Sequence, residues 1–438
     1  MFLQTQTKHP LVFSVAFSLT LSFSTCLAFP YQALANDTKT DLPPSQVSEI
    51  EAIPPSLPEK AEKERTDVFL KQIKTLKWDN DLPHDKEMSL FEALQKTSKH
   101  NWNIQIAQKK IEETEAKQDG VESKRILFFF KYFDARYLEG SAESDVQAQQ
   151  EHARLVQQNE LKKTVTLYNK ALEAALTNKV AYWQIKQALM QRTLDQHQFN
   201  TGQVTAFVLN SSTQALYTHY QNYLRTLSLR KQAAHALALQ TTGQGKQTIV
   251  PIDLINTGDD EELELPSFAT GDALDIVKKP NSKVWNQYAL LHRPDYQELF
   301  YRHESVEKLR TASKLQFDRQ QTRLIKANLE SLKLRLNQLE QVIKADIEQT
   351  ISDLKITGQQ LQIAQQQQQL AKRSLHQAKV SHKAGFSSDK DLVDAQLVSH
   401  ASQLQYAKAQ LSHFQTQVNA FASIGELKPE LFMPEHHE

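Results

Sequence analysis

Along much of this chain, apolar positions recur at alternating steps of four and three residues. Between residues 296 and 357 there is neither Gly nor Pro, and the stripe runs Ile325, Leu329, Leu332, Leu336, Leu339, Ile343. That spacing averages 3.5 residues, the period of a left-handed coiled-coil seam. Ile347, Ile351, Leu354 and Leu361 carry it onward. The pattern predicts one helix of about 60 residues ending near Lys383, roughly 90 Å long at 1.5 Å per residue. An earlier block repeats the pattern at Leu161, Val165, Tyr168, Leu172, Leu176, Val180 and Trp183, followed by Leu209, Leu216 and Tyr223. A last helix steps in sevens through Leu397, Leu404, Leu411 and Val418. Helices this long do not form the core of a compact globule.

The two blocks read as tandem copies. His100-Asn101-Trp102-Asn103-Ile104 in the first parallels His292-Arg293-Pro294-Asp295-Tyr296 in the second. Each copy then gives a helix, a long helix, a Gly-containing turn and a shorter helix. The turns are Phe199-Asn200-Thr201-Gly202 and His382-Lys383-Ala384-Gly385. Gly just past a helix end suits the left-handed C-cap conformation, so each turn is the tip of an antiparallel hairpin.

Composition narrows the classes. Only 10 of 438 residues are Gly, too few for the turns of an all-β fold or a phosphate-binding loop enzyme. Basic and acidic residues balance at 51 each, which leaves no basic nucleic-acid footprint. Histidines lack metal-ligand spacing and no nucleophile motif occurs. The chain is therefore expected to be no enzyme and to need no cofactor.

Lys8, an apolar stretch from Leu11 and Ala33-Leu34-Ala35 read as a signal peptide over 1–35. An uncleaved anchor and a lipidated Cys26 are the alternatives. Residues 36–84, with Pro43, Pro44, Pro54, Pro55 and Pro58, read as an extended linker. The first copy is placed at 85–245, a Gly/Pro-rich inter-repeat linker at 246–284, the second copy at 285–425 and a disordered tail at 426–438. The acidic run Asp259 to Glu262 is read as a solvated loop, and His436 and His437 as part of the tail.

On these residues, with Val180-Ala181-Tyr182-Trp183 and the Asp391-Leu392-Val393-Asp394-Ala395 that follows Gly385, the chain resembles the TolC family of outer-membrane efflux proteins. The resemblance covers residues 88–427. It implies a mainly α fold in which long antiparallel coiled-coil helices from two tandem repeats build a trimeric α-helical tunnel. It implies a homotrimer in the outer membrane and periplasm that works with a periplasmic adaptor and an inner-membrane pump. It also implies a pair of β-strands per repeat for a barrel, and there this sequence departs. Residues 125–138 read as one strand without a partner, and 312–326 lack strand alternation, so the barrel is reduced. Ile126, Phe128 and Phe130 are the expected membrane-facing residues. A periplasmic coiled-coil scaffold of the same ancestry, without a pore, is the alternative function. Strand pairs at those two places favour a duct; helical turns favour the scaffold.

By the same resemblance, Asp391 and Asp394 form an acidic ring at the pore gate, one helical turn apart. Their competing role is to start a helix, with Asp389 as N-cap. Gly202, Gly385, Phe207 and Phe386 are the expected adaptor-docking tips. Val208 and Ser387 stand where charged links between hairpins occur in family members. The glutamine run Gln365 to Gln369 is a polar tunnel wall or a solvated helix face.

Overall fold

The computed structural model describes residues 59–76, 86–127, 132–243, 249–251, 265, 267–268, 272–313 and 319–433. The signal-peptide region, Phe128, Phe130, the acidic run and His436 to Glu438 lie outside these. The chain divides into two compact units, residues 1–69 and 70–438; the architecture that follows is that of the second.

The duplicated order predicted from sequence is present twice. The first copy is α2 (Leu90–His100), α3 (Trp102–Leu127), α4 (Tyr132–Asn200) and α5 (Ala206–Thr242). The second is α7 (Ser282–His292), α8 (Pro294–Ser313), α9 (Arg319–Lys383) and α10 (Asp389–Ser423). Helix α4 has 69 residues and α9 has 65, so each is roughly 100 Å long. The 3.5-residue stripe is what they bury. Leu161, Val165, Tyr168 and Leu172 of α4 are fully covered, as are Leu216 and Leu237 of α5. Ile343 and Ile347 of α9 share the core with Leu411, Phe414 and Val418 of α10. Within the glutamine run, Gln368 is buried in the seam while its neighbours are exposed.

Four helices pack side by side in the order α5, α4, α10, α9. Helices α3 and α8 continue the lines of α5 and α10. The C-cap of α5, Gly243, sits against the Trp102 indole at the start of α3. Gly425, just past α10, sits against the backbone of His292 and Arg293 between α7 and α8. Helix α8 also packs on α4, through Ser141–Ser305 at 2.9 Å, Lys308 Nζ donating to Ser144 at 2.9 Å and His152–Glu298 at 3.0 Å.

The bend between each short helix and the next is a matched pair. Helices α2 and α7 both span 11 residues. Their C-caps Asn101 and Arg293 are extended, with φ/ψ of −70°/125° and −70°/121°. In the first bend Glu160 of α4 accepts from Asn101 (3.0 Å), Asn103 (2.7 Å) and Gln240 (2.7 Å). In the second, Arg293 donates to both oxygens of Asp295 (3.0 and 2.8 Å) and to Asp346 of α9 (2.6 Å).

Three stretches expected to be irregular carry structure. Helix α1 (Glu59–Thr75) falls inside the expected linker. No Pro or Gly follows Pro58 in it, and Leu70 and Ile73 lie buried at helical spacing. In the inter-repeat linker β2 (Ile249–Pro251) pairs in parallel with β1 (Lys86–Met88), and α6 (Asp272–Lys278) precedes α7. Strand β3 (Ser267–Phe268) pairs with β4 (Phe432–Met433) from the expected tail. Phe268 packs on Phe414, Phe421 and Phe432, with ring centroids 4.9–5.7 Å apart. Burying these aromatics outweighs the local turn-rich composition.

The single strand expected at 125–138 is also corrected. Helix α3 continues to Leu127 and α4 starts at Tyr132. Helix α8 reaches Ser313 and α9 starts at Arg319. Only residues 128–131 and 314–318 connect these helices, against the ~9–11 residues one membrane strand needs. The apolar run near Ile126 has helical neighbours on both sides, and propagating a formed helix is easier than opening an unpaired strand. No helix among the described residues is long and apolar enough to cross a membrane.

Candidate functional site

The hairpin tips hold most of the residues singled out by sequence. Both use the same backbone device. Gly202 and Gly385 have φ of 72° and 78°. At the first tip, Gly202 N–H donates to Phe199 O and Gln203 N–H to Gln198 O; at the second, Gly385 N–H donates to His382 O and Phe386 N–H to Ser381 O. These 5→2 and 6→1 bonds are Schellman closures, and only Gly takes the left-handed position without strain. The chain then reverses into α5 and α10.

The starts of the returning helices differ. Thr205 caps α5 without a side-chain bond. Ser388 caps α10 in a full capping box, its Oγ accepting from Asp391 N–H at 3.2 Å while Asp391 accepts from Ser388 N–H at 2.9 Å. The expected N-cap, Asp389, is therefore the first helical residue. Its carboxylate pairs instead with His382 at 2.6 Å, joining the end of α9 to the start of α10.

The two aspartates expected to act together have separate partners. Asp391 is exposed, and the Ser388 hydroxyl and backbone N–H hold its carboxylate below the usual range, with a smaller contribution from Lys390. Asp394 is half-buried and accepts from Gln187 Nε2 of α4 at 2.6 Å. Nearby, the Trp183 ring stacks on His400 at 4.7 Å and 18°. Gln187 and His400 were not singled out by sequence. Each is one polar residue on a long helix, and only the pairing of α4 with α10 brings them to Asp394 and Trp183.

Phe207 is 80% exposed and Phe386 88%. Both stand in solvent beside their tip glycines. Val208 and Ser387 place no charge there.

No known family's sequence profile matches the chain, and no curated protein matches it by sequence. Solved structures do. The outer-membrane channel OprN aligns with a TM-score of 0.58 at 13% identity, over 77% of this chain and 89% of its own. The Campylobacter jejuni CmeC outer membrane channel gives 0.58 at 12%, over 81% and 91%. The Vibrio cholerae outer membrane protein VceC gives 0.55 at 10%, over 77% and 96%. The fold is TolC-like. At these identities the likeness is one of fold.

Proposed function

We propose that this chain is the tunnel-forming subunit of an efflux or export duct. It acts as a homotrimer in the periplasm at the outer membrane, with a periplasmic adaptor and an inner-membrane pump, and does no chemistry of its own. One observation carries the reading: the duplicated hairpins align with outer-membrane channels over about nine-tenths of those chains. In that role the tips Gly202, Gly385, Phe207 and Phe386 meet the adaptor. Asp391, ionised and exposed, supplies the acidic ring at the gate with Asp394 behind it. Ile126, Phe128 and Phe130 form the membrane-facing segment.

The row of four helices supports assembly between copies. Its edges are α5 and α9, and these carry most of the exposed large apolar residues. On α9, Val342, Ile356, Ile363 and Leu370 fall at multiples of seven, away from the buried seam. On α5, Tyr217 and Leu224 are exposed seven residues apart. Leu224 lies as many residues from Gly202 as Ile363 lies from Gly385, and Tyr217 and Leu370 match in the same way. Packing α9 of one copy on α5 of the next is a heterologous contact that closes a ring.

A second reading, a periplasmic scaffold without a membrane pore, is favoured by the helices that run to Leu127 and Ser313, where the family resemblance implies strand pairs. Two measurements separate the readings. Leu224→Cys with Ile363→Cys should give disulfide-linked trimers from envelope preparations; a strictly monomeric mass at micromolar concentration overturns both tunnel and ring. Purified trimers that conduct in planar bilayers, with cation selectivity reduced by Asp391→Asn, support the duct. Trimers that never conduct support the scaffold.

A further inference from the structure

Between the tip-proximal part of α4 and the start of α10 lies an open groove of about 730 Å³. That volume is within the usual range for small-molecule sites. Its walls are apolar: Trp183, Leu189, Met190, Leu194 and Val393. Its rim is cationic. Lys186 and Lys390 line it and enter no ion pair among the described residues. Lys186 Nζ lies over the Tyr182 ring, 5.2 Å from its centroid. The one carboxylate on the rim, Asp389, is engaged by His382 at 2.6 Å. The first turn of α10 also opens onto the groove, and its other acid, Asp391, is taken up by the Ser388 cap. In a chain whose formal charges balance, this is an apolar slot rimmed by two lysines whose Nζ atoms hold no carboxylate among the described residues.

The geometry points to a binding site for a small amphipathic organic anion: an apolar chain or ring system lying between Trp183, Leu194 and Val393, its carboxylate or sulfonate held by Lys186 and Lys390. The occupant lies between α4 and α10 below the Gln187–Asp394 bond and the Trp183–His400 stack, at the end of the hairpins where the chain reverses. The site lies within a single chain, so it does not depend on the tunnel reading.

A brominated medium-chain fatty carboxylate tests this, because bromine quenches a tryptophan it touches. In the full-length wild-type protein, quenching should saturate below the micellar concentration and be reversed by the unbrominated acid. Trp183→Phe should remove the saturable component. Leu194→Glu, a change at an exposed wall position, should abolish binding while helical circular dichroism stays unchanged. Lys186→Gln with Lys390→Gln should weaken the carboxylate by more than about tenfold, tenfold being the scale of a single lost charge-assisted contact, and leave the matching fatty alcohol unaffected. Quenching that does not saturate, that survives in Trp183→Phe, or that is equal in Leu194→Glu overturns the site. Equal weakening of acid and alcohol overturns the role given to the two lysines.

Discussion

The bend of the first repeat and the bend of the second solve one geometric problem with opposite chemistry. In each, a short helix ends in an extended residue, a new helix begins, and a long helix and the end of a hairpin must be tied to the junction. The first repeat uses one buried carboxylate, Glu160, and three neutral amides. The second uses one cation, Arg293, two carboxylates and the Ser423 carbonyl. A planar guanidinium reaches several acceptors in a fixed fork, whereas an acceptor needs donors brought to it one by one. So the second bend is organised by the residue at the bend, and the first by the long helix beside it.

The largest expected effect separates the two glycines that abut these bends. At Gly425 (φ 85°) a Cβ would collide with His292 O and meet Arg293 N at 2.6 Å. Both are backbone atoms and cannot yield without moving the bend. Gly425→Ala should cost about 3 kcal/mol or more, left-handed strain plus overpacking. At Gly243 (φ 66°) a Cβ would meet Trp102 Nε1 at 2.7 Å. That indole is exposed and can swing away, so Gly243→Ala should cost about 1–2 kcal/mol. Apparent thermal midpoints of the two variants check the order; equal losses would mean the bends are equally soft.

The next effect concerns charge. Burial pushes the Glu160 carboxyl up, but hydrogen bonds from Gln240 and Asn103, the charge of Lys163 and a bond from Asn101 outweigh it, leaving it below the usual range. A folded-state value below the unfolded one adds stability that is fully present above the unfolded value, near 4.3, and is lost as pH falls through the folded value. Glu160→Gln should therefore destabilise by about 1–2 kcal/mol at neutral pH and flatten the acid limb of the stability curve. Arg293 stays protonated throughout, because Asp295 and Asp346 overcome its burial. Arg293→Met should cost about 2–3 kcal/mol at neutral pH, less than for a fully buried pair because Asp346 is partly exposed. A Glu160→Gln variant with an unaltered acid limb would show that the amides carry the first bend without the charge.

The periodic part of this fold was legible in the sequence and the belt around it was not. Steps of four and three named the buried faces of α4 and α9, and the paired His100 and His292 segments located both bends. The left-handed glycines located both tips. Helix α1, the short strand pairs and the packed tail escaped because their order comes from a few distant contacts, such as Phe268 with Phe432, that no local pattern encodes. At the site, the spacing of Asp391 and Asp394 put them near one face, but spacing is blind to Gln187, 207 residues away in the chain. The capping box was readable as a serine three residues before an acid, and the expectation fell one residue late, on Asp389.

The smallest effect compares the tips themselves, whose glycine closures match while their caps do not. Ser388 Oγ accepts from the Asp391 N–H at the start of α10, and the Ser388 N–H donates back to the Asp391 carboxylate. Thr205 occupies the same place before α5 and makes no such bond. Removing a working cap exposes a donor and typically costs about 1 kcal/mol, whereas removing an idle one costs only a few tenths. Ser388→Ala should therefore fray the second tip and Thr205→Ala should hardly change the first. The loss at Ser388 should be local, because the tip residues around it are exposed and the seam begins farther along α10. Hydrogen exchange of the first-turn amides measures it: Ser388→Ala should speed exchange near Asp391 several-fold, leaving the amides around Leu411 unchanged. No acceleration near Asp391 in Ser388→Ala would mean that the Schellman glycine holds the second tip and that the capping box adds no order to it.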